Sequence, residues 1–533
     1  MKKRRIISSI IAGFIFACFF VIGQQLNDDS MIHFNGITAL NLLLTTVVCS
    51  SFVFYVLGLN YKIKTDKNFK LDWKKVFLPL MAISLFLLLA IYPGNYSYDS
   101  IFQYRRYYLG IYGTHYPPIF CWLLGTFLTV GNNIFGNFEI GLFALLLLQS
   151  AFINFVITKI ILYTSDKIKN KKFTIISILF LATHLLAQVL IVSSCHDVIF
   201  GGFFALLTLE FLKISEDEDY FKSKKNFFKV GTITILMCLF RNNGFFALIP
   251  AVIIGLIFLK KNRVRFSIML LIPMIIFQGY NQVYSRFISS DTQSFVHESL
   301  NLPVMQIARA LYYNHPQTWS EELNTYFHEV CDWASYKRFT GISDNFKRCI
   351  KDEYVQGHII EFIGYWLKLG LKAPHRYIEA PGLLSLGLWY PWKTYPEDAH
   401  GKSNTWHPYI EHAVVDATNR YPENEAAPIK RHALIPALDR FFDHVLNGQR
   451  WSQIYGIRIL WGGAFTTFTM IIAILFAFYK KQRQYLIPLG LIFSLTLTVF
   501  LAPVVLFRYI FPVVLTTPIM FYIIVKTCTK KSS

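Results

Sequence analysis

Apolar runs long enough to cross a bilayer recur along the chain, separated by short polar loops. A helical crossing needs about 20 mainly apolar residues. The pattern predicts twelve transmembrane helices, at about residues 6–24, 37–59, 76–92, 139–163, 173–194, 198–213, 228–240, 244–259, 266–280, 457–479, 484–500 and 503–525. The run at 117–130 is only about fourteen residues long, so we expect it to form a helix lying on the outer membrane face.

Basic residues concentrate in short segments between these runs, near 2–5, 62–75, 167–172, 213–229, 260–265, 480–483 and 526–531. Clusters of Lys and Arg mark cytoplasmic loops. The twelve predicted spans place all of these clusters inside, whereas a crossing at 117–130 would place 167–172 outside. The pattern therefore predicts a multi-pass protein of the cell membrane with both termini cytoplasmic and the polar region at 281–456 extracytoplasmic.

Composition agrees with an all-α polytopic membrane protein. The chain has 533 residues, of which 54% are hydrophobic and 16% charged, which is too apolar for an ordinary soluble protein. The net charge of +20 does not indicate a nucleic-acid partner, because residues 281–456 hold 17 Lys and Arg against 19 Asp and Glu. The excess positive charge lies in the loops between spans and reports orientation.

Three regions follow: an N-terminal transmembrane bundle at 1–280 with an outer loop at 93–138, an extracytoplasmic domain at 281–456, and C-terminal transmembrane helices at 457–533. The middle region is predicted to be mainly helical. Thr318-Trp319-Ser320-Glu321 fits a capping box, and Pro374 suits a first helical turn. The aromatic segment at 377–392 is expected to dip into the outer membrane interface.

The Trp, His and Cys residues of the middle region do not by themselves indicate a functional site. Seven of the ten Trp residues fall there, where they form either an interfacial belt or faces that stack on sugars. His407 and His412 lack a metal-site pattern, so no metal is assigned, although a divalent ion is left open. Cys331 and Cys349 could form a disulfide in an extracytoplasmic domain.

Asp99 lies in a polar loop that follows an apolar run, with Gln103, Arg105 and His115 close behind it in the sequence. One interpretation is an ordinary solvated loop carboxylate. The other is a general base at the membrane surface, with its pKa raised by desolvation. We favour the second, because Pro and Gly residues restrict the chain on both sides of the loop.

Further polar residues stand at the outer ends of predicted spans. Asp197, after His196, could be the N-cap of the next helix or an acid that orients a substrate or helps to bind a metal. Arg241, next to Asn242, and Arg508 lie at the edges of apolar segments. They could snorkel to lipid headgroups or clamp a phosphate, whose oxygens match the guanidinium fork.

With these residues, the chain resembles the GT-C superfamily of membrane glycosyltransferases, which take sugars from polyprenyl-phosphate carriers. The resemblance lies in Asp99-Ser100 in the first large outer loop, followed by His115-Tyr116-Pro117-Pro118 before a surface helix. An uncharacterised bacterial family of such proteins is more similar, over most of the chain after residue 75. The shared motifs are Tyr92-Pro93-Gly94, Asp99-Ser100, Arg241-Asn242-Asn243-Gly244, Glu298-Ser299-Leu300, Tyr377-Ile378-Glu379-Ala380 and Arg508-Tyr509.

The resemblance implies a GT-C-like bundle of about 12 transmembrane helices with an outer juxtamembrane helix and a mainly helical extracytoplasmic domain. It implies an inverting hexosyl- or pentosyltransferase that moves a sugar from a polyprenyl-phosphate carrier to a cell-envelope glycan, lipid or protein. Asp99 and Asp197 would be the catalytic acids. Substrate would be bound by Arg241, Arg508, Arg105, His115, Gln103, His196 and Asn242.

Two other functions stay open. A transporter or flippase for a lipid-linked or anionic solute would show inverted repeats and helices broken near mid-membrane. A non-catalytic envelope scaffold would bind a cell-wall polymer through the extracytoplasmic domain. We rank the scaffold last, because it leaves the arginines of the apolar segments without a partner.

Overall fold

The computed structural model describes most of the chain as helices joined by short connections. The described residues are 2–59, 64–66, 68–111, 113, 115–259, 261–288, 299–313, 320–331, 343–347, 349–393, 429–442, 444–445, 450–502 and 504–528. Within these ranges the β-structure consists of two isolated bridges, Asn95 with Ser193 and Cys331 with Ile350. The predicted all-α class is therefore confirmed.

The N-terminal helices are α1 Lys2–Asp28, α2 Gly36–Gly58, α3 Lys74–Ala90, α4 Tyr98–Leu109, α5 Pro118–Phe135, α6 Phe138–Ile168, α7 Lys171–Thr183, α8 Leu185–Ile191, α9 His196–Glu216, α10 Lys224–Phe240, α11 Asn243–Phe258 and α12 Arg263–Val283. The middle helices are α13 Asn301–Tyr313, α14 Glu321–Val330, α15 Asp344–Lys347, α16 Asp352–Gly357, α17 Ile359–Lys372, α18 Pro374–Leu384, α19 Leu386–Trp389 and α20 Pro436–Phe442. The C-terminal helices are α21 Tyr455–Trp461, α22 Gly463–Tyr479, α23 Leu486–Val499, α24 Phe507–Leu515 and α25 Thr517–Cys528.

Six of the described helices are long and apolar enough to cross a membrane: α1, α2, α5, α6, α9 and α12, the last continued by a π-helical turn to Ile288. Three bent pairs, α7 with α8, α21 with α22 and α24 with α25, raise the number to nine if each pair is one span. Helices α11 and α23 are apolar but shorter. The described helices are compatible with a multi-pass membrane protein of six to nine candidate spans, and the count of twelve stays a prediction.

The surface helix predicted at 117–130 is longer than expected. It begins at Pro118, where proline suits the first turn, and ends at Phe135 with Gly136 in the left-handed conformation. Its 18 residues meet the length and composition of a membrane span. The apolar run alone underestimated the helix, because Asn132 and Asn133 interrupt the hydropathy pattern without ending the helix.

Helix α9 lies at the centre of the bundle, and nearly all of its residues are buried. It packs against α6, α10, α23 and α24. The approach of α24 depends on Gly201, because a Cβ there would lie 2.8 Å from Cδ1 of Phe511. This close packing brings the start of α24 beside the start of α9, where the candidate site lies.

The middle region packs on the N-terminal hairpin. Helices α18 and α19 contact α1, and α19 also contacts α22. Pro374 occupies the first turn of α18, as predicted. The capping box is wrong: α14 begins at Glu321 after Ser320, which makes no side-chain capping bond. Cys331 and Cys349 are both buried and lie on neighbouring segments. Thr318, Trp319, His407, His412 and Glu298 lie outside the described residues.

Candidate functional site

A cluster of serines fastens the loop before α4 to the start of α9. The amide of Asn95 donates to the carbonyl of Val192 at 3.0 Å, and the amide of Ser194 donates to the carbonyl of Asn95 at 2.8 Å. The hydroxyls of Ser97 and Ser100 both donate to the carbonyl of Ser194 at 2.5 Å. These contacts join segments almost a hundred residues apart and set Asp99 beside His196 and Asp197.

Gly94 allows this junction. Its φ of +108° lies in a region that side chains other than glycine rarely adopt. A Cβ at this position would stand 2.5 Å from Cδ1 of Leu146 and 2.9 Å from the carbonyl oxygen of Val192. The glycine of the Tyr92-Pro93-Gly94 motif is therefore required both by backbone conformation and by space.

Four charged side chains alternate in sign at the end of this junction. Arg508, on the first turn of α24, pairs with Asp99 on α4 and lies 3.4 Å through Nε from Oδ2 of Asp197. Oδ1 of Asp197 in turn pairs with Arg241, which caps the end of α10. The side chain of Asp197 is fully buried, and those of Asp99, Arg241 and Arg508 are 14%, 14% and 7% exposed. We call these four residues the charge network.

Tyr509 and Cys195 lie next to the charge network, although the sequence analysis did not identify them as site residues. The guanidinium carbon of Arg241 lies 4.2 Å from the centre of the Tyr509 ring, and that of Arg508 lies 5.2 Å from it. The Cys195 thiol lies 3.5 Å from Oδ2 of Asp197. An aromatic ring beside two guanidiniums favours their charged forms. The signal available in the sequence was the adjacency of Tyr509 to Arg508.

His196 and Gln103 extend the site from the other side of α9. Gln103 stands one helical turn after Asp99 on the same face of α4, and its side-chain nitrogen donates to Nδ1 of His196 at 3.0 Å. Nε2 of the same ring is 3.7 Å from Oδ1 of Asp197. The ring of Phe120 packs edge-on against His196 at 5.9 Å. Both predicted residues are therefore part of one buried cluster with the charge network.

The profile of a family of unknown function, DUF6020, matches residues 113–533, about four fifths of the chain. The chain belongs to DUF6020. No curated protein and no solved structure matches it. The DUF6020 region contains Asp197, Arg241 and Arg508, whereas Asp99 precedes its first residue.

The expectation that desolvation raises the pKa of Asp99 is wrong for this DUF6020 chain. Burial does act to raise the pKa of this carboxyl, but the Arg508 guanidinium, with smaller contributions from His196 and His115, holds the pKa below its ordinary value. The aspartate is therefore ionised at neutral pH and paired. The sequence could not indicate this, because the partner comes from the other end of the chain.

Three predicted substrate-binding residues stand apart from the centre of the charge network. Arg105 lies six residues further along α4 than Asp99, about 9 Å along the axis, and is partly buried. His115 is exposed before α5 and acts on the Asp99 carboxyl through its charge. Asn242 is exposed in the turn between α10 and α11.

Asp197 is not the N-cap of α9. Cys195 holds that position without a side-chain capping bond, and Asp197 lies within the first helical turn, where the helix dipole favours a carboxylate. The described residues around Asp197 also do not provide a set of metal ligands. Among the described residues, no group of three or more His, Cys, Asp or Glu side chains could hold a metal ion, and both carboxylates of the charge network face guanidiniums.

Proposed function

We propose that this protein is an inverting glycosyltransferase that moves a sugar from a polyprenyl-phosphate carrier to an extracytoplasmic acceptor in the cell envelope. The proposal combines the resemblance to GT-C enzymes with the convergence of Asp99, Asp197, Arg241 and Arg508 in one cluster. That convergence is the observation that carries the proposal, because it joins carboxylates with phosphate-matching guanidiniums from four separate elements.

In the proposed reaction, the hydroxyl oxygen of the acceptor attacks the anomeric carbon of the donor sugar. The hydroxyl proton passes to the carboxylate of Asp99, while the bond from the anomeric carbon to the phosphate oxygen breaks. The bonding electrons leave with the polyprenyl phosphate, whose charge Arg241 and Arg508 stabilise. Asp197 positions these guanidiniums through its two carboxylate oxygens.

The ion pairing of Asp99 fits a resting state of this mechanism. While Arg508 holds the carboxylate, the lowered pKa makes Asp99 a weak base. A donor phosphate that binds Arg508 competes for the same guanidinium and weakens its pairing with Asp99. Burial then raises the basicity of the carboxylate as the donor arrives.

Purified protein in proteoliposomes tests the proposal with a panel of polyprenyl-phosphate-linked hexoses and pentoses and envelope acceptors. Sugar transfer should fall at least about a hundredfold in Asp99→Asn, because the base is removed. Asp29→Asn is the matched control, since that carboxylate is 60% exposed and pairs only with the exposed His33 in the part of the chain that the structure describes. Full transfer by Asp99→Asn would exclude this mechanism.

A second function, transport or flipping of a lipid-linked solute, is favoured by the broken helices. Helices α7 and α8 meet at 65° around His184, and α24 and α25 meet at 44° around Thr516. Breaks of this kind form substrate sites in transporters. Movement of a fluorescent polyprenyl-phosphate lipid between leaflets, without a new glycosidic product, would favour transport over transfer.

A further inference from the structure

A cavity of about 570 Å³ lies at the opposite end of α9 from the charge network. It is bounded by the end of α9, the turn between α11 and α12, the start of α1 and the turn between α22 and α23. Asp197 and Glu216 are 19 residues apart on α9, so the cavity lies roughly 28 Å from the charge network along the helix axis. That separation is close to the thickness of the hydrocarbon core of a bilayer.

Four basic side chains line this cavity: Arg4, Lys261, Lys481 and Arg483. Lys261 lies 2.9 Å from Glu218, and both of those side chains are exposed. In the ranges that the structure describes, neither Lys481 nor Arg483 has an ion-pair partner. Both stand in the turn between α22 and α23, and both are exposed, so their positive charges are available to a ligand.

The acidic residue Glu216 in the cavity wall does not form an ion pair with these basic side chains. Its carboxylate accepts hydrogen bonds from the hydroxyls of Tyr163 at 2.7 Å and Tyr485 at 3.0 Å, and also from that of Tyr522. The three tyrosines come from α6, the 3₁₀ turn before α23, and α25. They hold the carboxylate towards the helix bundle, and the cationic side chains remain at the mouth.

Part of the remaining wall is apolar, formed by Ile214, Phe221, Phe258 and Leu259, and the uncharged polar residues Ser215, Asn262 and Gln484 line the rest. An apolar wall beneath a cationic mouth, at the end of a membrane-length helix, matches the two parts of a phospholipid. Basic pockets between membrane helices on the cytoplasmic side bind anionic headgroups, and the basic clusters predict this end to be cytoplasmic. We propose that this cavity binds one anionic phospholipid, with Lys481 and Arg483 on its phosphate.

Native mass spectrometry of the full-length protein in an uncharged detergent tests this site. Dioctanoyl phosphatidylglycerol is the anionic probe, and dioctanoyl phosphatidylcholine and inorganic phosphate are the comparisons. We expect one phosphatidylglycerol per chain, bound at least about tenfold more tightly than phosphatidylcholine. The Lys481→Gln, Arg483→Gln double variant should bind it about thirtyfold more weakly, because each basic residue near the membrane surface contributes about fivefold.

Lys171→Gln with Lys172→Gln is the matched control, because it removes two exposed charges at the start of α7, outside the cavity. It should leave the affinity for phosphatidylglycerol within about twofold. The charge-conserving pair Lys481→Arg, Arg483→Lys should retain binding. Equal loss in both Gln double variants would show a diffuse charge effect and overturn the site, and inorganic phosphate that displaces the lipid at similar concentrations would overturn the assignment to a lipid.

Discussion

Arg508 pairs with the carboxylate of Asp99, a residue 409 positions earlier in the chain. The contact joins α4 of the N-terminal bundle to α24, one of the last helices, beside the start of α9. Both side chains are mostly buried, so neither charge can be satisfied by water alone. The pairing therefore links the geometry of the candidate site to the assembly of the bundle.

Removing only the cation should destabilise the protein more than removing both partners. Arg508→Gln leaves Asp99 and Asp197 buried with one fewer positive charge, which we expect to cost about 3 kcal/mol. In the double variant Asp99→Asn, Arg508→Gln, the loss should shrink by about 1–2 kcal/mol, because one uncompensated carboxylate is gone. Thermal unfolding in detergent measures both.

Arg265→Gln is the control for this cycle, since Arg265 is exposed in the first turn of α12 and should change stability by no more than about 0.5 kcal/mol. Strict additivity of the Asp99 and Arg508 substitutions would mean that the two side chains do not interact in the folded protein.

The lowered pKa of Asp99 determines in which direction the stability of the protein changes with pH. A carboxylate with a depressed folded-state pKa stabilises the protein above its unfolded pKa of about 3.9 and loses that contribution as the pH falls through the lower folded-state value. The Asp99 contribution should therefore be constant from pH 5 to pH 8. In Arg508→Gln, burial is no longer opposed by this guanidinium, so protonation of Asp99 relieves the destabilisation.

The difference in melting temperature between wild type and Arg508→Gln should consequently be largest near pH 8 and should narrow towards pH 5. Asp99→Asn, Arg508→Gln is the control, because it lacks the titrating carboxyl and should show a flatter difference. A gap that widens on acidification would contradict the assignment of this titration to Asp99.

The sequence predicted the membrane class and the four residues of the charge network, but it did not predict the ion pairs that these residues form. Acids and arginines at the ends of apolar runs stand out because burial of a lone charge is costly, and this signal identified Asp99, Asp197, Arg241 and Arg508. It could not show that these charges neutralise one another. A phosphate clamp and an internal ion pair have the same local sequence, and only the packing of α24 against α9 distinguishes them.

The bends between paired helices could not be predicted from the hydropathy pattern, for a physical reason. His184 separates α7 from α8 without a Pro or Gly at the break. Its side chain accepts a hydrogen bond from the amide of Ala187 and begins the next helix. Hydropathy reports how apolar a segment is on average, and a single His lowers that average too little to mark a bend. The packing of His184 against Phe180 and Phe507 shows only in the fold.

Gly94→Ala should displace the loop that leads into α4, and with it Asp99 on the first turn of that helix. The substitution forces a side chain into a positive φ and places its Cβ against Leu146 and the carbonyl of Val192, which we expect to cost about 3 kcal/mol. Gly110→Ala is a matched control: its φ is also positive, but no atom would lie within 4 Å of the new Cβ, so only about 1–2 kcal/mol of backbone strain remains. Equal losses of stability in the two variants would show that crowding at Gly94 is unimportant.

Glu379 ties the middle region to the N-terminal hairpin, and its neutralisation should loosen that connection. It accepts hydrogen bonds from the amide of Ile32 at 2.8 Å and from Nε of Arg309 at 3.0 Å, and it also pairs with Arg376. Because Glu379 and Arg309 are both fully buried, Glu379→Gln removes the carboxylate that balances a buried guanidinium, at a cost of about 3–5 kcal/mol.

Hydrogen exchange at the amide of Ile32 reports this loss locally, and thermal unfolding reports it globally. Glu322→Gln is the control, since Glu322 also pairs with a basic residue, Lys368 at 2.9 Å, but both side chains are more than half exposed, so the loss of stability should be far smaller than in Glu379→Gln. We expect faster exchange at Ile32 in Glu379→Gln alone. Unchanged exchange there, with stability equal to that of Glu322→Gln, would mean that α18 and the hairpin are held together by apolar packing and that the buried ion pair is dispensable.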